Sequence, residues 1–291
     1  MPDFEAAIGR YLRVPYRGED HRIFVEEAGS GIPLLCLHTA GADSRQYRHM
    51  LADPGITDRF RVIAFDMPYH GRSDPPKNWW LKKYRLTTRD YLGMIRAVWK
   101  ALDLERPVVL GCSMGGAIVL EVAARYQSEL RGIIGLETAA YAPGRYNEFL
   151  HHPAIHGGEL CASYTFGLCG PNSPEVGKRE NWWIYSQSGP GVYQGDVYFY
   201  SCDWDARLSV KKIKTCKVAL LTGEFDYSCT PAMTREVAKA IPGSRFRVMK
   251  GMGHFPMIED YACLRPYLLR ELAFMTDSRA SKSRLRSTPQ R

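Results

Sequence analysis

The sequence has no apolar run that approaches the roughly 18–20 residues needed to cross a bilayer. Its first residues include Asp3, Glu5 and Arg10 and contain no apolar h-region, which argues against a secretory signal. We therefore expect a protein that is neither inserted into a membrane nor exported, and the expected location is the cytoplasm.

Cysteine pairs with the spacing of a redox or metal motif are also missing. The 8 cysteines include no C-x-x-C pair, and Cys36 and Cys216 fall in or beside apolar runs. This scatter is typical of buried thiols and indicates neither a disulfide framework nor a zinc site. A bond between Cys161 and Cys169 is the one pairing left open.

Most of the chain lacks an excess of basic residues, although the formal net charge is +8. Residues 278–291 (SRASKSRLRSTPQR) hold five basic residues and no acidic one, so they carry most of that charge. Such a composition is typical of a solvated, disordered tail. We expect neither a nucleic-acid partner nor a membrane partner.

Apolar runs that alternate with helix-like segments make up much of the 291 residues. Residues 61–66 (RVIAFD), 132–136 (GIIGL) and 217–221 (KVALL) have the continuous apolar character of strands buried on both faces. Alternation of such strands with helices predicts an α/β fold with a mostly parallel, doubly wound sheet.

Turn and cap residues predict several further elements. Strands over 22–27 and 33–37 flank a glycine-containing turn and are expected to form a hairpin. A helix is expected from Thr87 or Thr88 to Leu102, and a closing helix over 257–275.

The alternation stops between about residues 139 and 205, where aromatic residues, glycine and proline are dense. A structureless loop of that length is improbable inside a compact domain, so the segment is expected to be a partly helical lid or cap. The predicted organisation is a first core part over 1–138, a cap insertion over 139–207, a second core part over 208–276 and a basic tail over 277–291.

The chemistry of the chain is expected to centre on residues 108–116 (VVLGCSMGG). An apolar strand leads into Gly-x-Ser-x-Gly, and a helix-like segment follows, which is the setting of a nucleophile elbow. Ser113 is the candidate nucleophile, and the glycines at 111 and 115 allow strand and helix to approach closely. The side chain of Cys112 is expected to pack rather than react.

A serine hydroxyl needs a base, usually a histidine that is oriented by a carboxylate. His254 follows a predicted strand on a glycine-rich loop, and Asp226 follows another strand end. The order Ser113, Asp226, His254 is the one expected of an α/β-hydrolase sheet. Glu137, which also follows a strand, is the competing acid.

Backbone N–H groups are the expected donors to an oxyanion. One is that of Met114, at the N-terminus of the helix after the nucleophile, where the helix dipole favours negative charge. The second is expected from the small-residue loop over 38–41.

Four motifs in this order resemble those of the α/β-hydrolase fold superfamily, which includes lipases, esterases, lactonases and C–C hydrolases. They are residues 38–47 (HTAGADSRQY), 65–73 (FDMPYHGRS), 222–226 (TGEFD) and Gly253-His254. The resemblance implies that Ala40 is the oxyanion donor of the first loop. Two departures are Thr39, where the superfamily usually has glycine, and Tyr69-His70 in the second loop.

The aromatic residues of the predicted cap indicate an apolar, aromatic substrate pocket, or else form a small core of the cap itself. Polar residues among them, such as Asp196, either orient a substrate or hinge the cap. The candidate substrate-binding residues are Trp182, Trp183, Tyr193, Tyr198 and Trp204.

These features predict a serine hydrolase that cleaves a carboxylic ester or lactone of an apolar small molecule through an acyl-enzyme on Ser113. No metal and no organic cofactor is required, and a homodimer is left open. The resemblance also implies that Ser113 disfavours alkyl-enzyme chemistry, because the superfamily members that form an alkyl-enzyme have aspartate at the elbow. The alternatives are a C–C bond hydrolase of ring-cleavage products and a non-catalytic ligand receptor with the same fold.

Overall fold

The computed structural model describes residues 4–152 and 154–277, and its centre is an eight-stranded sheet with strand order 1-2-4-3-5-6-7-8. The first two strands run antiparallel to their neighbours, and the other adjacent strands are parallel. The predicted mostly parallel, doubly wound sheet is therefore confirmed. The strands are β1 (Ile8–Tyr16), β2 (Glu19–Ala28), β3 (Ile32–Leu37), β4 (Phe60–Phe65), β5 (Val108–Cys112), β6 (Gly132–Leu136), β7 (Lys217–Gly223) and β8 (Arg245–Met249).

Helices cover the sheet, and no helix of the described ranges is long and apolar enough to span a membrane. The helices are α1 (Arg48–Leu51), α2 (Pro54–Thr57), α3 (Thr88–Ala101), α4 (Met114–Tyr126), α5 (Gly157–Phe166), α6 (Glu175–Ser186), α7 (Val192–Tyr198), α8 (Pro231–Ala240), α9 (Pro256–Glu259) and α10 (Tyr261–Thr276).

Helix α3 begins where the sequence predicts, because the Thr87 hydroxyl accepts a hydrogen bond from the backbone N–H of Asp90. The predicted closing helix is instead two helices, α9 and α10. Asp260 separates them with φ −159°, and its carboxylate caps α10 by accepting from the N–H of Cys263.

The centre of the sheet is apolar on both faces. All residues of β5 and β6 are buried, as expected for parallel strands covered by helices on two sides. One apolar cluster includes Ile95 of α3 and Ile118 of α4, and a second includes Leu264 and Leu268 of α10. This packing holds the carboxyl ends of β5 and β7 rigidly at one edge of the sheet.

The predicted hairpin between β2 and β3 is wrong, because β4 lies between them. The Ser30 and Ile32 N–H groups donate to the carbonyls of Thr57 and Arg59, which places the start of β4 beside the turn. Gly29 has φ 79°, and a side chain there would overlap the backbone of Thr57. The turn therefore carries the chain past β4 instead of folding it directly back.

Strand β1 was not expected from the sequence. All nine of its residues pair with β2, yet Val14 is the one buried residue among them. An edge strand with so little burial lacks the apolar alternation from which strands are predicted.

The segment between β6 and β7 contains helices α5, α6 and α7, and we call residues 139–207 the cap. Helix α5 packs against α6, and α6 packs against α9 of the core. The segment is partly helical, as expected. Its limits as a domain stay a prediction, and the predicted basic tail lies outside the described residues from residue 278 onward.

All eight cysteines are free thiols, so Cys161 and Cys169 are not bonded to one another. Cys112 is buried, and its thiol lies 3.3 Å from the carbonyl oxygen of His254.

Candidate active site

Ser113 lies at a tight turn between β5 and α4, with φ 55° and ψ −111°. A positive φ is costly for a residue other than glycine and is typical of strained functional positions. A Cβ on Gly111 would overlap the backbone of Gly115, and a Cβ on Gly115 would overlap the carbonyl of Leu37. The two glycines thus allow the close approach that holds the serine in this conformation.

The three side chains that sequence order singled out lie in contact. His254 Nε2 is 2.8 Å from Ser113 Oγ, and His254 Nδ1 is 2.8 Å from Asp226 Oδ2. Asp226 Oδ1 also accepts from the N–H groups of Ser228 (2.7 Å) and Cys229 (3.0 Å). With the Nδ1 proton donated to Asp226, His254 Nε2 is left to accept the proton of the serine hydroxyl.

The competing acid, Glu137, lies behind Asp226 rather than at the histidine. It is fully buried, and its carboxyl group accepts hydrogen bonds from Thr222 Oγ1 and from the N–H of Gly223, both at 2.9 Å. Burial and the negative charge of Asp226 raise the pKa of Glu137 well above its usual range. Glu137 is therefore a neutral acid next to Asp226.

The charge of Asp226 is stabilised by its neighbours. Burial raises its pKa, but the charge and hydrogen bond of His254, together with a hydrogen bond from Glu137, outweigh that effect and hold the pKa at about 2. The site thus contains one ionised and one neutral carboxyl group in contact, and only the ionised one bonds to the histidine.

Over residues 39–42 of the loop after β3, a single backbone N–H has no acceptor in the described part of the chain. The Thr39 N–H donates to Gln46 Oε1, the Gly41 N–H to Asp196 Oδ2 and the Ala42 N–H to the Thr39 carbonyl. Among the described residues, no acceptor pairs with the N–H of Ala40. Met114 opens α4, and the first N–H groups of a helix have no acceptor within it.

The unexpected Thr39 fixes this loop. Its hydroxyl donates to Gln46 Oε1 at 3.1 Å and contacts the hydroxyl of Tyr185 from the cap. A glycine could make neither contact, so the departure from the superfamily pattern ties the loop to both core and cap.

Asp196 of α7 makes a second link from the cap to this loop. Its fully buried carboxylate accepts from the Gly41 N–H (2.8 Å), His70 Nε2 (2.7 Å) and the Tyr84 hydroxyl (2.8 Å). The other nitrogen of His70, Nδ1, faces the Pro68 carbonyl at 2.9 Å. Because both ring nitrogens face acceptors, His70 is best satisfied as a cation.

The electrostatics of His70 agree with this geometry. Burial lowers its pKa, but the charge and hydrogen bond of Asp196 outweigh burial, so the pKa is raised. The ring of His38 lies 4.7 Å from that of His70, and its Nε2 accepts from the Met67 N–H. Burial and the charge of His70 lower the pKa of His38 to about 4, so His38 is neutral.

A cavity of about 340 Å³ lies between the cap and the loop of Tyr227 and Ser228, and Tyr193 is the one predicted aromatic residue that lines it. Trp204 is buried against Phe199, another cap residue of the first apolar cluster, with ring centroids 5.7 Å apart. Trp183 is 60% exposed, and Trp182 is half-buried against the second apolar cluster.

Tyr198 also lies away from the cavity, packed against Tyr146 and under the guanidinium of Arg85. Four of the five expected substrate contacts thus pack against other residues or lie exposed instead of lining this cavity, and their role in substrate binding stays a prediction. A larger cavity of about 470 Å³ is lined by residues that include Tyr69 and Trp79, and neither cavity is lined by the three contacting side chains.

The ligand atoms of Asp226, Cys229 and His254 lie within 4.8 Å of one another, a spacing that could hold a metal ion. Two of them are already bonded to each other as carboxylate and imidazole. Burial raises the pKa of the Cys229 thiol, which keeps it in the neutral form that binds metals weakly. The chemistry of this set therefore fits a proton relay better than a metal centre.

The polar groups around Asp196 were the part of the site that the sequence did not reveal. Tyr84 and Gly41 lie 112 and 155 positions from Asp196, and no local pattern joins them. The Tyr69-His70 departure in the second loop was the available signal, since a superfamily motif had changed beside the site.

The eight-stranded sheet, its strand order and the serine at the β5–α4 turn define an α/β-hydrolase fold. A sequence model described as the alpha/beta hydrolase fold matches residues 32–158. The chain has an α/β-hydrolase fold, and the matching sequence model covers somewhat less than half of it.

Known proteins agree with this assignment. The AB hydrolase superfamily protein YisY of Bacillus subtilis is 31% identical over 138 residues, which are 46% of this chain and 47% of that protein. The chain spans less than half the length of the curated relatives that it matches above 30% identity.

Solved structures resemble the chain over nearly its whole length. A thermophilic esterase from Thermogutta terrifontis superposes with a TM-score of 0.79 at 21% identity, covering 93% of this chain and 100% of that one. The enol-lactonase from Burkholderia xenovorans LB400 gives a TM-score of 0.78 at 21% identity, covering 91% and 100%. At this identity the likeness establishes the fold.

Proposed function

We propose that the chain is a serine hydrolase that cleaves a carboxylic ester or lactone of a small apolar molecule through an acyl-enzyme on Ser113. The observation that carries the proposal is the continuous contact from Asp226 through His254 to the strained serine. A general base in this position activates a hydroxyl that is otherwise a weak nucleophile.

In the proposed reaction, Ser113 Oγ attacks the carbonyl carbon while His254 Nε2 takes the hydroxyl proton. The negative charge on the carbonyl oxygen is stabilised by the N–H groups of Ala40 and Met114. Collapse of the tetrahedral intermediate breaks the bond to the leaving oxygen, and His254 returns its proton to that alcohol.

Water then repeats the sequence on the acyl-enzyme and releases the acid. Asp226 holds the imidazole in the tautomer with the proton on Nδ1 and stabilises the imidazolium that forms twice in each cycle. The chain's own residues supply every proton transfer, so the proposal needs neither a metal nor an organic cofactor. We further propose that the partner of the protein is a small-molecule substrate and that its location is the cytoplasm. A homodimer is left open.

The test combines labelling and turnover. A serine-directed fluorophosphonate is expected to add one mass equivalent at Ser113, and Ser113→Ala is expected to abolish both the label and the hydrolysis of p-nitrophenyl butyrate. Ser163→Ala is the matched control, since the exposed Ser163 hydroxyl donates to the Glu159 carbonyl of its own helix, α5. Both label and activity are expected to survive there.

Other outcomes would identify the alternatives. If no aryl ester or lactone is turned over and Ser113 remains unlabelled, the hydrolase proposal is wrong. Faster cleavage of a meta-cleavage product than of any ester would favour the C–C hydrolase. Tight, saturable binding with negligible turnover would indicate a receptor.

A further inference from the structure

The cavity of about 340 Å³ is lined by residues that contact the backbone or carboxylate of two proposed catalytic residues, His254 and Asp226. Three of its lining residues contact either a proposed catalytic residue or the loop after β3. The Leu168 carbonyl accepts from the His254 N–H at 3.0 Å, the Ser228 N–H donates to Asp226, and Tyr193 packs against Gly41. A molecule held in this cavity therefore lies next to residues that contact His254, Asp226 and the loop of Ala40.

Arg145 is the one charged side chain among the ten residues that line this cavity. Its neighbours there are aliphatic or neutral and polar. They are Asn147, Leu150, Tyr164, Leu168, Tyr193, Val197, Tyr200, Tyr227 and Ser228. A cavity with one cation and no carboxylate has an electrostatic preference for an anion.

The guanidinium of Arg145 is held in place by backbone and hydroxyl oxygens. Nη1 donates to Ser228 Oγ at 2.8 Å, and Nη2 donates to the Ser228 carbonyl. Two of its five N–H donors are used in this way, and the planar group is suited to bind a carboxylate with the others.

No carboxylate of the described chain lies within ion-pair distance of Arg145. The nearest acidic residue in sequence, Glu148, instead pairs with Lys83 and Arg85. An anionic ligand would therefore supply the electrostatic stabilisation that no carboxylate of the described chain gives to this half-buried cation.

Two tyrosines of the cavity can add neutral donors. Burial raises the pKa of Tyr193 and of Tyr200, so both hydroxyls stay protonated at neutral pH. Their rings line the same wall and provide an apolar surface for the remainder of a ligand.

We propose that the substrate carries a carboxylate, which Arg145 binds while the ester or lactone carbonyl lies at Ser113. This inference rests on the proposed function and narrows its substrate class to anionic esters and lactones small enough for the cavity. Arg145 is thereby a specificity-determining residue, which recognises a part of the substrate that does not react.

The first test compares matched charged and neutral esters. One pair is mono-p-nitrophenyl glutarate and p-nitrophenyl butyrate, with the charge on the acyl side. The second pair is 4-acetoxybenzoate and phenyl acetate, with the charge on the alcohol side. The ratio of kcat/KM for the charged ester to that for the neutral ester is expected to exceed one in at least one pair, namely the pair whose charge lies on the side of the ester that Arg145 binds.

Arg145→Met is expected to lower that ratio about 30- to 100-fold, as for the loss of a charge-assisted pair. Arg145→Lys is expected to retain part of it. Arg207→Met is the matched control, because Arg207 is an exposed cap arginine that pairs with Asp205. It is expected to leave the ratio within about twofold. A ratio unaffected by Arg145→Met in both pairs would overturn the inference and leave the hydrolase proposal intact.

The second test does not depend on turnover. Isothermal titration calorimetry of the Ser113→Ala protein with glutarate monoanilide and its methyl ester measures the same preference as binding. The acid is expected to bind about 30-fold more tightly than the methyl ester, and Arg145→Met is expected to remove the difference. Equal binding of the two overturns the inference even if no ester is hydrolysed, and circular dichroism verifies that each variant is folded.

Discussion

At the residue scale, two carboxyl groups in contact have different protonation states. Asp226 is ionised because His254 stabilises its charge, whereas Glu137 is neutral because it is buried against that charge. Two adjacent carboxylates cannot both be ionised cheaply, so the one that lacks a cationic partner keeps its proton. The contact with His254 thus separates the proposed triad acid from a supporting group.

Asparagine at position 226 is expected to lower kcat about 10⁴-fold, because the amide cannot stabilise the imidazolium or fix its tautomer. Glu137→Gln is expected to cost less than about tenfold, since its amide keeps an acceptor for Thr222 and a donor for Asp226. Steady-state kinetics on p-nitrophenyl butyrate measure both. The reverse pattern, with Glu137 essential and Asp226 dispensable, would transfer the acid role to Glu137.

The sequence predicted the three contacting residues because each follows a strand of one parallel sheet. Carboxyl ends of parallel strands meet at one edge, so chain order and flanking glycines were enough to place Ser113, Asp226 and His254 together. Arg145 could not be found in this way. Its site is a cavity between cap and core, and its contact with Ser228 joins two loops 83 positions apart.

At the scale of single elements, the elbow depends on the contact between α4 and the loop after β3. Gly115 lies so close to the Leu37 carbonyl that a methyl group must displace backbone atoms. Gly115→Ala is therefore expected to lower the free energy of unfolding by about 3 kcal/mol, as overpacking of a core does. Urea denaturation followed by circular dichroism measures the change.

Gly157→Ala is the matched control for that substitution. Gly157 is the first residue of α5, and nothing lies within 4 Å of where its Cβ would be. The free energy of unfolding of the Gly157→Ala protein is expected to differ from that of the wild type by less than about 0.5 kcal/mol. Equal effects at the two glycines would show that close approach at the elbow is not limiting.

Helix α7 is joined to the core by the buried pair of His70 and Asp196, and the pair makes this link sensitive to pH. The folded pKa of His70 is raised above its ordinary value of 6.5. Its contribution to stability is therefore fully present below pH 6.5 and is lost as the pH rises through the raised value.

Asp196→Asn is expected to cost about 3 kcal/mol at pH 6, since it leaves a buried cation without its partner. The difference from the wild type is expected to shrink as the pH is raised towards 9, because neutral His70 needs no counter-charge. Urea denaturation at a series of pH values measures this. Asp205→Asn, which removes an exposed pair with Arg207, serves as the control and is expected to show no such pH dependence. A pH-independent loss in Asp196→Asn would mean that the pair is not ionic.

Element boundaries were predicted where a local cap sets them, as with Thr87 at α3. The pairing of β2 was mispredicted because the partner of a strand is chosen by non-local contacts. Glycine at 29 and 31 is typical of a tight hairpin turn, but these residues pack on the backbone of residues 57–60. Sequence alone does not distinguish a turn that reverses the chain onto itself from one that passes a third strand.

At the scale of the whole molecule, the cysteines are distributed as thiols through core and cap. Ellman's reagent is expected to count eight thiols in the denatured protein under non-reducing conditions, since all eight are free. In the native protein, Cys202 is expected to react first because it is exposed, and Cys202→Ser is expected to remove that phase. Six thiols after denaturation would indicate a disulfide and contradict the structure.

The fold class was predictable because α/β alternation and four ordered motifs extend across the chain. Substrate contacts were much less so, since an aromatic residue fills the interior of the cap as readily as it lines a cavity. Trp204 and Tyr193 are both aromatic residues of the cap, yet Trp204 packs on Phe199 within the first apolar cluster, whereas Tyr193 packs on Gly41 of the loop after β3. Their difference depends on the path of α7, which the local sequence does not specify.

The hydrogen bond from the Gly41 N–H to Asp196 has a consequence for protein engineering. Exchange of cap segments between relatives is a common way to alter substrate preference, and it treats the cap as an independent module. Here the cap supplies the Asp196 carboxylate, an acceptor that fixes the loop of Ala40. A transplanted cap without an equivalent carboxylate would therefore disturb this loop of the core as well as the cap. Cap and loop must be exchanged together, with His70 and Tyr84 retained as a matched set.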